Sequence, residues 1–321
     1  MTFVTTMKAL SGSIIRGMFS ALPTGFYGDI SFPQGISVNI VTRNDPWFLE
    51  SLLSILNLSD EIIVVDSSEE PYLSYNHKVL EYLNGDRIKY ISRELNILEA
   101  RRLAKSLSTK EIIIRWDADM IAFDGGKDPL SARLNKFANI SSNRKFIVLF
   151  PIVTFFGDLD HVLSPPFQSE AWIFSNTKKE LYRPRYEDSK IGTVLEGFNP
   201  PVYFRKYIID SPLAVHMSLI MPVEKIIQKH LQKLWMNNSY REKYGTFQVM
   251  RDEIGTNIKI ENQYRTVKFS DSIQNPLPRL LSRFEGMTSK TIIEQRMGEI
   301  ENLLVPDELV KLISTSQQKR I

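Results

Sequence analysis

Asp117 and Asp119 stand two residues apart at the end of the run Glu111-Ile112-Ile113-Ile114-Arg115-Trp116. Two carboxylates at that spacing repel, and one pKa rises unless a cation neutralises the pair. A hard divalent ion held by carboxylate oxygens, Mn²⁺ or Mg²⁺, is the usual remedy, with phosphate oxygens as its further ligands. The competing reading is that one Asp caps a turn and the other is solvated, since Asp-x-Asp is a short motif. Position favours the ligand role. Three consecutive isoleucines read as a strand buried on both faces, and ligands of open α/β sheets sit at the carboxyl ends of strands.

The elements that would position these acids are legible around them. Ile36, Val38 and Ile40 alternate into Val41-Thr42-Arg43, a first strand. Asp45-Pro46 then reads as an N-cap with proline at the first helical position, and Trp47, Leu49, Leu52, Leu53 and Leu56 form that helix's apolar face. Residues 61–66 make a second strand ending on Asp66, residues 73–83 a helix stopped by Asn84-Gly85, and residues 87–91 a third strand. A helix over 98–107 leads into the acidic stretch. Strands alternating with helices predict a parallel sheet with right-handed crossovers. Beyond it, 130–140 reads as a helix, 146–150 and 171–174 as strands, 157–166 as a loop, and 178–190 as a charged, solvated face. Residues 202–209 and 212–217 read as strand segments, 222–235 and 292–304 as helices.

Composition fits a globular protein able to bury a core: 43% of the 321 residues are hydrophobic and 24% charged. A formal charge of +3 is small for this length and argues against a dedicated nucleic-acid binder. Cysteine is absent, which excludes disulfides, zinc-thiolate sites and cysteine nucleophiles. No apolar run approaches the ~18 residues of a spanning helix. Phe3, Met7, Leu10, Ile14, Met18 and Leu22 recur at helical spacing. That segment reads as an amphipathic helix that packs on the protein's own body or, alternatively, makes peripheral contact with a membrane.

The order Thr42-Arg43-Asn44, Val64-Val65-Asp66, Ala100-Arg101, Asp117-Ala118-Asp119 resembles the nucleotide-binding half of family 2-like glycosyltransferases with the GT-A fold. The resemblance implies an α/β fold: a Rossmann-like, mostly parallel central sheet with flanking helices, plus a helical C-terminal extension. It divides the chain into an N-terminal segment and linker (1–35), a catalytic domain (36–222) and the extension (223–321). It implies that Thr42, Arg43, Asp66, Arg101 and Asp117 contact the nucleotide-sugar donor and that Asp117, Asp119 and His216 hold the metal. It implies a downstream acid as general base, Asp188 or its neighbour Glu187. Departures exist: Arg102-Leu103 stand where Asn and Gly often follow Ala-Arg, and no helix is evident over 189–198. Glu170, just before the Ala171 strand, is the rival base.

The activity so implied moves a sugar from a nucleotide diphosphate, a UDP- or GDP-sugar, to an acceptor glycan, lipid or protein. A single inverting displacement is the default, because nothing marks a covalent nucleophile. The expected location is cytoplasmic. Two rival readings stay open. One is a phosphohydrolase with Asp117 as nucleophile, although Ile121 stands where that motif usually has Thr or Val. The other is a catalytically silent binding protein on the same fold.

Overall fold

The computed structural model describes residues 35–311 apart from 84–85, 126–129, 131–133, 135–144, 166–167, 189–192, 209–211, 222 and 256–262. The expected N-terminal amphipathic helix, the Asn84-Gly85 stop and most of the 130–140 helix lie outside the described residues.

The first half alternates as the pattern predicts: β1 (Ile36–Thr42), α1 (Phe48–Ile55), β2 (Glu61–Asp66), α2 (Tyr72–Leu83), β3 (Ile88–Ser92), α3 (Ile97–Leu107) and β4 (Ile112–Asp117). β5 (Met120–Ala122) follows at once, then β6 (Phe146–Phe156), β7 (Asp158–Leu163), β8 (Gln168–Ser175), β9 (Tyr182–Asp188), β10 (Thr193–Phe198), β11 (Arg205–Ile208) and β12 (Ala214–His216). The C-terminal part holds α4 (Val223–Trp235), α5 (Asn238–Tyr244), α6 (Phe247–Ile254), β13 (Thr266–Lys268), α7 (Phe269–Ser272) and α8 (Ser289–Glu301).

β3, β2, β1 and β4 are parallel neighbours, so their carboxyl ends share one edge. β8 joins antiparallel to both β4 and β6, and β7 and β13 continue outward. β11 and β12 run parallel to β6. The β2 run Ile62 to Val65 is buried without interruption, as expected of a strand covered on both faces. β1 starts where it does because Gly35 turns the chain at φ 79°; a Cβ there would meet Asp60 Oδ2 at 2.4 Å. α3 opens on a reciprocal cap. Asn96 Oδ1 accepts from the Glu99 amide at 3.0 Å, and the Asn96 amide donates to Glu99 Oε2 at 3.2 Å.

Three sequence expectations are corrected. Residues 157–166 are not a loop, because Leu159 and Val162 are buried and carry β7 against β6. Residues 178–190 are not merely a solvated face, since Leu181 and Tyr182 are buried and β9 pairs with β10. Asp45 is not the helix N-cap. Its Oδ1 accepts from the Trp47 amide at 2.9 Å, an Asx turn one step before α1 begins. Ile292, Ile293, Leu281 and Phe284 share a core with Trp47, Ile121 and Phe155. α4, α5 and α6 add a smaller cluster of Leu231, Trp235, Tyr244 and Met250.

Candidate active site

The acidic turn is built from beneath. Trp116 is fully buried; its Nε1 donates to Ser51 Oγ at 3.0 Å and to the Met120 carbonyl at 3.1 Å. Ser51 Oγ in turn donates to the Asp117 carbonyl at 3.0 Å. One indole thus ties the end of β4, the start of β5 and helix α1 together. His216 arrives from nearly a hundred residues downstream because β12 pairs antiparallel with β5, setting His216 opposite Met120. The Met217 amide donates to the Asp119 carbonyl at 2.8 Å. His216 Nε2 then lies 3.2 Å from Asp119 Oδ2.

The two carboxylates are neutralised separately. Asp117 is ion-paired with Arg101, whose guanidinium also donates to the Trp116 carbonyl at 2.9 Å and lies 3.3 Å from Glu196 Oε2. Arg115 holds the other Glu196 oxygen at 2.5 Å. Burial draws the Arg101 pKa down, and the Glu196 charge opposes that. Burial alone would raise the Asp119 carboxyl. The charge and hydrogen bond of His216, with Lys229 behind, outweigh burial and hold it below the usual carboxylate range. His216 is pushed the other way: burial lowers it, but Asp119 wins and raises it.

Asp45 feels the charge of Asp119 across the crevice floor. Burial first, then the Asp119 charge, lift the Asp45 carboxyl well above its ordinary value. Asp45 was missed in the sequence as a site residue because Asp-Pro after a strand reads as a helix start. Its place at the carboxyl end of β1 was the available signal.

These groups face a crevice of about 1000 Å³ at the carboxyl ends of the parallel strands. Thr42, Arg43, Asp45, Arg101, Asp117, Asp119 and His216 line it, as do Arg115, Glu196, Lys229 and Lys233. A second hollow of about 440 Å³, walled by Thr42, Arg43, Ser67, Asn96 and Lys229, adjoins it. The Thr42 hydroxyl is buried with no partner among the described residues. Asn44, at φ 53°, anchors the bend after β1: its amide donates to Ser68 Oγ at 2.9 Å, and its Oδ1 accepts from the Glu69 amide at 2.8 Å. Lys229 reaches over from α4 and donates to the Ser218 carbonyl at 3.4 Å.

One expected residue does not line the crevice. Asp66 is 1% exposed and lies under the crevice wall, where its carboxylate accepts from Asn76 Nδ2 at 2.8 Å, Tyr90 OH at 2.7 Å and the Ser68 amide at 2.7 Å. Its neighbour Ser67 is the one on the wall. Glu187 and Asp188 fall at the end of β9 and Glu170 in β8, opposite Phe150; their side chains lie outside the described residues. Of the basic run Lys178, Lys179, Arg183 and Arg185, Arg185 lines the crevice. Glu196 and Lys229 were also missed: Glu196 carries no sequence signal, whereas Lys229 and Lys233 share a helix face at i, i+4.

Among the described residues, no group of three or more acidic or histidine side chains is arranged to hold a metal alone. Asp119 and His216, 3.2 Å apart, have the separation of two neighbouring donors in one coordination sphere. Carboxylate with imidazole suits Mn²⁺ among the hard divalent ions. Asp117 is not brought into that pair, because it faces Arg101. No helix among the described residues is long and apolar enough to cross a membrane.

Residues 37–147, about a third of the chain, match the family described as Glycosyl transferase family 2. Over that segment the chain is similar to this family. The matched segment carries the parallel strands β1, β2, β3 and β4, at whose carboxyl ends the crevice opens. A comparison with curated proteins finds no match. Among solved structures, S. aureus TarS 1-349 is 15% identical with a TM-score of 0.39, over 88% of this chain and 91% of that one. A second S. aureus TarS structure is 15% identical with a TM-score of 0.37, over 88% of this chain and 53% of that one.

Proposed function

We propose that the crevice binds a nucleotide-diphosphate sugar, UDP- or GDP-linked, together with Mn²⁺ or Mg²⁺, and transfers the sugar to an acceptor hydroxyl with inversion. The observation that carries this reading is the Asp119–His216 pair at the strand ends, set in a crevice whose walls bear Arg43 and Lys229. Asp119 and His216 hold the ion. When bound, it acts as a Lewis acid that stabilises the departing diphosphate. Arg43 and Lys229 contact the diphosphate oxygens, and Thr42, with its unpartnered hydroxyl, and Ser67 contact the nucleoside. Asp117 serves by fixing Arg101, and Asp66 by fixing the loop after β2 rather than by touching the donor.

In the transfer, the acceptor oxygen forms a bond to the anomeric carbon as the bond to the diphosphate oxygen breaks. The leaving nucleoside diphosphate keeps the electron pair, and the acceptor proton passes to a carboxylate. We assign that base to Asp188, with Glu187 beside it. Arg185, three residues earlier on β9, lines the crevice, which supports the choice. Glu170, in β8 opposite Phe150, remains the rival. Residues 36–222 then form the catalytic domain, and 223–321 an extension that closes one wall through Lys229. The acceptor is a glycan, lipid or protein, and the reaction takes place in the cytoplasm.

A thermal-shift panel of UDP, GDP and their sugars, with and without Mn²⁺, tests the reading. Ligand at about a hundred times its Kd stabilises the native state by about 2.7 kcal/mol. A Mn²⁺-dependent rise with one nucleotide supports the assignment; no rise with any of them sinks it.

A further inference from the structure

We propose that Arg296, on the C-terminal helix α8, is a positioning residue for the crevice: it holds the Asp45–Pro46 corner in place. Its relevance to transfer rests on the donor reading above, while the positional claim stands by itself. The buried stripe of α8 is Ile292, Ile293, Arg296 and Ile300, so an arginine occupies the middle of an apolar face. A fully buried guanidinium is tolerated only when its donors find acceptors.

Arg296 finds them in the crevice's own support. Nε and one Nη donate to the Pro46 carbonyl at 2.9 and 2.5 Å, across 250 residues of chain. The same Nη lies 3.3 Å from Glu50 Oε2, and the other pairs with Glu299. The guanidinium packs 6.0 Å from the Trp47 ring centre and 5.6 Å from that of Tyr75. Pro46 has no N–H, and the bend it occupies lies between β1 and α1, outside the strand ladders. The Asx turn from Asp45 to Trp47 closes the bend locally, and Arg296 anchors it to the body of the protein.

The hold extends to the acidic turn. Glu50, gripped by Arg296 and by Arg283 at 2.6 Å, opens α1, and the next residue, Ser51, is the one that holds the Asp117 carbonyl and the Trp116 indole. Arg283 is a natural control. It shares Glu50 and Glu299 with Arg296, yet its hydrogen bonds do not include Pro46. If the network served stability alone, the two arginines would be equivalent.

The test is amide hydrogen exchange on the full chain for wild type, Arg296→Lys, Arg296→Met and Arg283→Lys, with calorimetric binding of UDP and GDP in Mn²⁺. Arg296→Lys keeps the charge but loses the forked contact. The expected result is about tenfold faster exchange of the Trp47 and Ser51 amides and about tenfold weaker nucleotide binding in Arg296→Lys. Arg283→Lys should leave Trp47 within about twofold of wild type. Unchanged protection in a folded Arg296→Lys, or equal loosening in Arg283→Lys, overturns the proposal. Should both Arg296 variants fail to fold, wild type in mild urea decides: α8 and Trp47–Ser51 must lose protection together, and separate opening overturns the claim. A wild type that binds neither nucleotide sinks the donor reading, and exchange still judges Arg296.

Discussion

Replacing Glu61 with Gln should cost stability in a pH-dependent way that the structure sets. Glu61 starts β2 and is 5% exposed. Its carboxylate accepts from Ser37 Oγ at 2.5 Å on β1, Lys89 Nζ at 2.6 Å on β3, and the Thr109 amide and hydroxyl at 2.8 and 3.0 Å ahead of β4. One side chain thus staples four parallel strands at the end opposite the crevice. Burial works to raise its pKa, but Lys89, Ser37 and Thr109 overcome it and lower the value from 4.5 to about 2. At about 1.36 kcal/mol per pH unit this fall corresponds to about 3.4 kcal/mol. The Lys89 side chain is 46% exposed, so solvent screening brings the expected contribution to about 2 kcal/mol. The sign follows from the depressed folded value. The contribution is complete above the unfolded pKa of 4.5 and is lost as pH falls through about 2. Urea unfolding of wild type and Glu61→Gln from pH 7 to 3 measures it. The gap in unfolding free energy should be about 2 kcal/mol at pH 6–7 and shrink by more than half by pH 3. A gap that stays constant across that range would refute the reasoning, because it would show the charge itself contributes nothing.

Asp119→Ala should abolish the Mn²⁺-dependent thermal shift by a nucleotide diphosphate and leave the melting of the ligand-free chain nearly unchanged; intact Mn²⁺ dependence would remove the Asp119–His216 pair from the account. Asp188→Asn should spare nucleotide affinity and lower turnover by about 10²–10⁴ in a transfer assay, whereas the same loss from Glu170→Gln would move the base there. Trp116→Phe deletes the indole's bonds to Ser51 and Met120 and should cost about 1–2 kcal/mol by urea denaturation; wild-type stability would show the acidic turn is not held from below.

The parallel half of the fold was legible because its signals are local. The run at 61–66 matches β2, the three isoleucines at 112–114 open β4, and the helices read over 73–83 and 98–107 match α2 and α3 within a residue. Burial on both faces demands continuous apolar strands, and that demand is visible in sequence. Thr42, Arg43, Arg101, Asp117, Asp119 and His216, singled out through the family resemblance, all line the crevice. What sequence could not supply is who meets whom. Tertiary structure decided that Arg101 takes Asp117, that β12 carries His216 to Asp119, and that Asp45 feels the charge of Asp119. It also turned Asp66 inward and sent Arg296 to Pro46. Composition and period dictate which residues must be buried. Charge pairing depends on distances of a few ångströms between segments far apart in the chain, and only the folded packing sets those distances.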